Sequence, residues 1–264
     1  MVEKVALIKT NYRVPESTRE GSAGKSARRM LEVLEYFGVA RRALTIREIA
    51  EHFDYPNSSA SVLVKTAARM GYLSYDLDSR TYTSTLRLAA LGAWVYETMP
   101  SGTGVLALAQ DVAEKTNETV VVAVENDIYA QYVHVVPSKQ AIQYYIPTGN
   151  RLLLCQSGTG WALLSMHDDA SIERIVHRTR LRLGKAAAAI TVEVMLAKAR
   201  DVRRRGYAYS QGTVVAGGAL IAMPLPVDRF EARLALGVAS VQERLESNAD
   251  SVIKLMRAAI RKVA

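Results

Sequence analysis

The stretch LTIREIAEHFDYPNSSASVLVKTAARMGYL, residues 44–73, decides how this chain is read. Thr45 and Glu48 form a T-x-x-E capping box, which opens a helix. Ile46, Ile49, Ala50 and Phe53 recur at helical spacing and give that helix a buried stripe. DYPN at 54–57 reads as a turn, punctuated by Pro56 and Asn57. A second helix follows, with Asn57 or Ser58 expected as its N-cap. Wound at 3.6 residues per turn, Ala60, Leu63, Val64, Ala67 and Met70 share one face of it. Ser58, Ser61, Val62, Lys65 and Arg69 share the other. The inner face is small, so a neighbour packs close to it. The outer face offers short hydroxyls and two cations one turn apart, which suits a groove walled with phosphates. The plain alternative is an ordinary solvated helix face, and the flanking segments decide between the two.

Upstream, SARRMLEVLEYFG begins a helical period at Ser26, with Ala27, Met30, Leu31, Leu34 and Phe37 as its apolar stripe and Gly38 able to end it. Downstream, YLSYD and RTYTST are β-rich runs around an Asp-rich turn, the pattern of a hairpin. Three helices and a hairpin within about 60 residues form a winged helix-turn-helix. The second helix of the turn is then placed in a major groove. Ser58, Ser59, Ser61 and Lys65 become candidate groove contacts, and Arg69 and the hairpin's Arg80 candidate phosphate contacts. LRLAALGAWVYETM, 86–99, is apolar almost all round, as expected of a helix that is buried or shared with a second chain. PSGTG then breaks the chain. The expected organisation is an arm over 1–24, a winged domain over 25–85, a linker helix over 86–99 and a second domain over 100–264.

The second domain alternates elements. VLALAQDVAEKTN is an amphipathic helix ending at Asn117, ETVVVAV and IYAQYVHVV are strands around the turn END, and AIQYYI is another strand. SGTGWALLSM starts a helix at a Ser/Gly turn, and a further helix lies around 171–178. Thr191 opens a helix that ends at Gly206. YAYS, GALIAMPL and ARLALGVAS are strands, and a last helix spans about 242–262. The pattern is α+β, a sheet with helices packed on it.

The chain has 264 residues, 49% of them hydrophobic and 23% charged, which suits two ordinary domains of a globular protein. No apolar run approaches the roughly 18 residues of a membrane span, and the start has no signal-peptide pattern; a cytoplasmic protein is the simplest expectation. The net charge is +8. Residues 1–100 hold 14 Lys and Arg against 11 Asp and Glu, and residues 101–264 hold 20 against 15, so the surplus is spread out and does not by itself mark a nucleic-acid domain. Arg203, Arg204 and Arg205 read as cations that favour a helix C-terminus.

Cys155, the single cysteine, excludes an internal disulfide and argues against a cysteine zinc site. A nucleophilic role would need a base and an orienting group, and no signature joins His134, His167 or His177 to it. The glycines near it match neither a Walker nor a dinucleotide fingerprint. The four histidines lack paired metal spacing. No catalytic residue, metal or cofactor is expected. The Ser/Gly turn retains one property: the N–H groups of Gly158, Thr159 and Gly160 at a helix start could hold a carboxylate.

Taken in order, SARRMLEVLEYF, the 44–73 stretch, YTSTLRLAALG, EKTNETVVVAV, GNRLLLCQSGTGWALL, RRRGYAYS and GGALIAMPL resemble the IclR family of bacterial transcriptional regulators over about residues 25–262. The resemblance implies a winged helix-turn-helix, a linker helix and a GAF-like effector domain. It implies homodimers or homotetramers that bind operator DNA and respond to small carboxylates or aromatic acids. Several positions depart from the family pattern. Ser210, Gln211 and Gly212 stand where acidic residues are usual. Leu220 replaces a usual cysteine, Gly237 and Ala239 two usual serines, Cys155 a usual histidine and Trp161 a usual lysine. The resemblance therefore implies a roomier, drier pocket, with Leu220, Gly237, Ala239, Ser210, Trp161 and Tyr145 around it and the Gly158–Gly160 turn at its polar end. An aromatic or longer-chain acid is the expected effector. The competing class is a small-molecule-binding protein, or an enzyme using the Cys155 region, that does not bind DNA.

Overall fold

The computed structural model describes residues 6–9, 22–91, 102–226 and 233–262. They form two compact units, one within residues 15–98 and one joining the amino-terminal strand to the chain beyond residue 99.

In the first unit, α1 (Ser22–Ala40), α2 (Ile46–Phe53) and α3 (Asn57–Arg69) precede a hairpin of β2 (Leu73–Asp76) and β3 (Thr81–Ser84). The capping box forms at α2: Thr45 Oγ1 accepts from the Glu48 N–H at 3.2 Å, and the Glu48 carboxylate accepts from the Thr45 N–H at 2.7 Å. Asp54 ends α2 in the left-handed region, at φ 54°. Ala60, Leu63, Val64 and Ala67 pack on Val33, Phe37, Leu44, Ile49 and Tyr82. Leu44 and Tyr82 exchange backbone hydrogen bonds of 2.9 and 2.8 Å, which fastens the hairpin to the helices.

Several details differ from the sequence expectation: α1 runs past Gly38 to Ala40, and its Ala27 is exposed. Leu31 is exposed and Val33 fills the core in its place. Helix α1 has apolar residues on more than one face, so its period leaves its rotation open. Met70 is also exposed, because α3 has ended and Gly71, at φ 79°, turns the chain. The N-cap of α3 is Pro56, with no side-chain cap. Helix α4 follows over residues 86–91, with Leu86 and Leu91 exposed. The rest of the 86–99 segment, Val95 included, lies outside the described residues.

The second unit contains α5 (Gly102–Thr116), β4 (Thr119–Asn126), β5 (Tyr129–Val136), β6 (Ile142–Tyr145), β7 (Arg151–Leu153), α6 (Gly158–Leu164), α7 (Asp169–Leu183), α8 (Val192–Arg205), β8 (Ala208–Gln211), β9 (Gly218–Leu225), β10 (Leu234–Val241) and α9 (Gln242–Ile260). Six strands make an antiparallel sheet in the order β7-β5-β4-β10-β9-β8. Alternation along each strand feeds two cores. Val120, Val122, Ile221, Met223, Leu236 and Val238 face α5 and α9. Val121, Ala123, Leu220, Ala222 and Ala235 face α6, behind which α7 and α8 pack. The expected Asn117 terminus is present: Asn117 adopts φ 53° and its N–H donates to Ala113 O at 2.8 Å.

Two strands had no signal in the sequence. β7 is three residues of an apolar run. β1 (Ala6–Lys9), inside the segment read as an arm, pairs in parallel with β6 from Ala6–Ile142 to Lys9–Tyr145. Helix α1 likewise starts at Ser22, four residues before its apolar period.

Candidate functional site

The α3 face can be built from its packing. Because Ala60, Leu63, Val64 and Ala67 are buried against the unit, the opposite face points outward. Ser58, Lys65 and Arg69 are exposed, and Ser59 and Ser61 are half-buried. Lys65 and Arg69 are one turn apart, and Arg69 Nη2 donates to Thr66 Oγ1 at 3.3 Å. With no side-chain cap, the first-turn N–H groups of α3 stay open to an acceptor. The wing turn is ordered by Asp76, whose carboxylate accepts from the Asp78 and Ser79 N–H groups at 2.8 and 3.2 Å. Those bonds hold the Asp76 carboxyl below its ordinary range. Arg80 is exposed at the end of this turn, at φ 53°.

The second site lies where α6 crosses the sheet. Strand register places Ser210, Leu220 and Ala239 in one cross-strand row and Ala208, Ala222, Gly237 and Val121 in the next. Helix α6 approaches these small residues through its own small residues. A Cβ on Gly158 would stand 2.5 Å from Ser210 Oγ and 2.9 Å from Leu220 Cδ2. One on Gly237 would stand 2.9 Å from Val121 Cγ2, 3.2 Å from Thr159 Cγ2 and 3.4 Å from Leu220 Cδ1. Gly158, Thr159, Ser210, Leu220 and Gly237 are therefore brought together, with Ala239 on the same face of the sheet. Their small size lets the helix sit close, and Leu220, Thr159 and Val121 occupy the room that the sequence suggested would be open.

Three expected members of the site fall elsewhere or are already engaged. Trp161 turns away from Gly237 toward α8. Its indole N–H donates to Cys155 O at 3.3 Å, and Lys198 Nζ sits 3.6 Å from its ring centroid. Tyr145 is exposed on β6. The Gly160 N–H donates to Ser157 Oγ at 3.1 Å, so the helix cap has taken one of the expected carboxylate donors.

Tyr132 joins the site without a signal in the sequence. A bulge opposite Val122 and Ala123 leaves Val133 unpaired and exposed, and it changes which β5 residues face inward. Tyr132 is buried, with its hydroxyl 3.4 Å from Thr159 Oγ1. Thr159 Oγ1 lies 3.5 Å from Ser157 Oγ, and Ser210 Oγ 3.5 Å from Leu220 O. The site is thus lined by hydroxyls from β5, β8 and α6 rather than being dry. Nothing in the hydropathy of the 128–136 run signals a bulge.

Cys155 is buried with Thr179 Oγ1 at 3.7 Å. Burial pushes its thiol pKa up, against a weaker opposing effect of Thr179, the reverse of what a nucleophile needs. Among the described residues no group of three or more His, Cys, Asp and Glu is arranged to hold a metal. No helix among them is long and apolar enough to cross a membrane.

Comparison with known proteins agrees with this architecture. The family described as bacterial transcriptional regulator IclR C-terminal matches residues 105–264, and the IclR helix-turn-helix domain matches residues 26–77. The HTH-type transcriptional regulator KdgR of Escherichia coli is 23% identical over 203 residues, covering 75% of this chain and 77% of KdgR. Among solved structures, the effector domain of the putative IclR regulator of Acinetobacter is 29% identical, with TM-score 0.58, over 62% of this chain and 95% of that one. An IclR homologue from Microbacterium hydrocarbonoxydans, solved with 4-hydroxybenzoate, is 20% identical with TM-score 0.63 over 90% of this chain and 97% of that one. A winged helix-turn-helix with a cation-bearing outer face, an α+β effector unit and two matching family domains make this chain a member of the IclR family of DNA-binding transcriptional regulators.

Proposed function

We propose that this regulator works as a homodimer, reads its operator through α3 and the wing, and is switched by an aromatic or longer-chain organic acid held between α6 and the sheet. The observation that carries the DNA reading is the outward face of α3, with Ser58, Lys65 and Arg69 exposed beside an ordered wing bearing Arg80. Ser58, Ser59, Ser61 and Lys65 face the groove, and Arg69 and Arg80 take phosphates. One winged unit covers one half-site, and a two-fold dimer reads two.

The effector reading rests on the convergence of Gly158, Thr159, Ser210, Leu220 and Gly237. Thr159 and Ser210 are buried with hydroxyl contacts of 3.4 to 3.5 Å, beyond good hydrogen-bond length. An acid's carboxylate would give those hydroxyls a stronger partner, while its ring or chain would displace Leu220. The Microbacterium relative was solved with 4-hydroxybenzoate, an acid of this class.

A gel shift with the gene's own promoter, run at several salt concentrations, tests the first half. The Lys65→Ala protein should bind more weakly with a shallower salt slope, because fewer counterions are released. Equal affinity and slope would remove Lys65 from the interface. A thermal-shift series tests the second half: aromatic acids should raise the melting temperature. If pyruvate or glyoxylate stabilises the protein and no aromatic acid does, the effector reading fails.

A further inference from the structure

The charge surplus is not spread out once the elements are known. Residues 168–205, which make up α7 and α8 with their caps and connection, hold 10 Lys and Arg against 5 Asp and Glu. The other 226 residues hold 24 against 21. Thirty-eight residues of the effector unit thus carry five of the chain's eight surplus charges, and eight of their ten cations are arginines.

Local pairing does not neutralise them. Arg178 pairs with Asp127, Arg200 and Arg203 share Asp169, and Arg204 and Arg205 share Asp201. Arg180 lies near Glu193, and Arg174 lies near Asp168 and donates from Nη2 to Ser171 Oγ at 2.8 Å. Arg174, Arg182 and Lys185 are exposed and make no ion pair among the described residues. Arg182 shares the ring of Tyr129 with Arg151, their guanidinium carbons 5.6 and 4.2 Å from its centroid. Two like charges are therefore held within about one Debye length, roughly 10 Å, of each other. Neither makes an ion pair among the described residues, and two like charges held together favour an incoming anion.

We propose that the α7–α8 face is a second binding surface for the phosphate backbone of duplex DNA. Duplex DNA fits this face better than other polyanions. Arginine forks match phosphate oxygens in pairs. A helix of 15 residues is about 22 Å long, enough to follow several phosphates along a duplex. The exposed large apolar side chains on the two helices are Leu181 and Val194, too few to anchor a protein interface or enter a lipid surface. The surface is sequence-independent and steepens the salt dependence of binding.

The full-length protein and a mixed-sequence 40-base-pair duplex test this by fluorescence anisotropy between 50 and 200 mM salt. Arg174→Gln/Arg182→Gln/Lys185→Gln removes three exposed cations, and Arg174→Lys/Arg182→Lys/Lys185→Arg keeps the charge. If each cation takes one phosphate, the neutral triple should lose on the order of 40-fold less affinity across that salt range than the wild type. The charge-conserving triple should keep the wild-type slope. A neutral triple with unchanged melting temperature and unchanged salt slope overturns the inference. If Lys65→Ala flattens the slope in the same assay, the α3 reading stands and only this surface fails. Loss of poly-glutamate binding with the DNA slope unchanged would assign the face to an acidic protein and also overturn the proposal.

Discussion

The contrast between Gly158 and Gly160 shows how finely α6 is seated. A Cβ on Gly160 would lie 2.2 Å from the Leu154 carbonyl oxygen and 2.5 Å from its Cα. Those are backbone atoms of the turn that delivers the helix, and they cannot yield alone. A Cβ on Gly158 meets instead the side chains of Ser210 and Leu220, which can rotate. Gly160→Ala should therefore cost more than about 3 kcal/mol, near the upper end of overpacking, and Gly158→Ala about 1–2 kcal/mol. Urea unfolding of the two variants checks the order. If Gly158→Ala proved the costlier, the close approach of α6 to the 154 turn would be wrong. Gly158→Ala should also push Leu220 aside and change the response to aromatic acids, which Gly160→Ala cannot report if it unfolds.

Helix ends and helix faces set the next scale. Glu48 is held by the Thr45 N–H, by Arg42 and by the Thr45 hydroxyl, and its pKa falls from an ordinary 4.5 to about 2. A folded pKa below the unfolded one means stabilisation that is complete above about pH 4.5 and is lost as pH falls toward 2. Thr45→Ala should cost about 1 kcal/mol at neutral pH. It should also flatten the stability profile between pH 4.5 and 2 relative to wild type. A thermal melt series across that window tests it, and a profile of unchanged steepness would assign the acid sensitivity to another carboxylate. The proposed homodimer can be tested at α4. Leu91 is 58% exposed and Leu31 62% exposed within the chain. A charge at either would cost the single chain little but would be expensive inside an apolar contact. Leu91→Glu should sediment as a folded monomer with weakened operator binding. A dimer unchanged in sedimentation and DNA affinity would place the partner contact elsewhere.

Across the molecule, one buried ion pair joins parts far apart in sequence. Arg244, in the first turn of α9, donates to both oxygens of Glu118 at 2.5 and 2.9 Å. It also reaches Ser240 Oγ at 3.1 Å and the β6 carbonyl of Ile142 at 3.2 Å. The Glu118 side chain is only 7% exposed, so removing its partner strands a charge. Arg244→Met should destabilise the effector unit by about 2–4 kcal/mol, less than a fully buried pair because the guanidinium keeps some solvent. Adding Glu118→Gln should recover most of that loss. A double variant no more stable than the single one would mean that the arginine acts through its contacts with Ser240 and Ile142 instead.

Local chemistry and periodicity made several features legible along the chain. The capping box at Thr45, the inner face of α3, Asn117 and Gly206 as helix ends, and the span of β9 depend on residues close in the chain. The membership of the outward face of α3 follows for the same reason: four buried residues at helical spacing leave only one face for Ser58, Lys65 and Arg69. The tertiary structure decided matters that depend on distant partners. The rotation of α1, which buried Val33 and exposed Leu31, depends on what packs against it. β1 exists only through pairing with β6, more than 130 residues away. Gly237 and Ala239 read as space and Gly158 as an N–H donor, yet Gly158 and Gly237 serve close approach, because a missing side chain can admit either a ligand or a neighbouring helix. The bulge that accompanies the buried Tyr132 is a register event between two strands. The excess of cations over residues 168–205 can be counted along the chain, but which of them are paired and which are left exposed depended on how α7 and α8 fold.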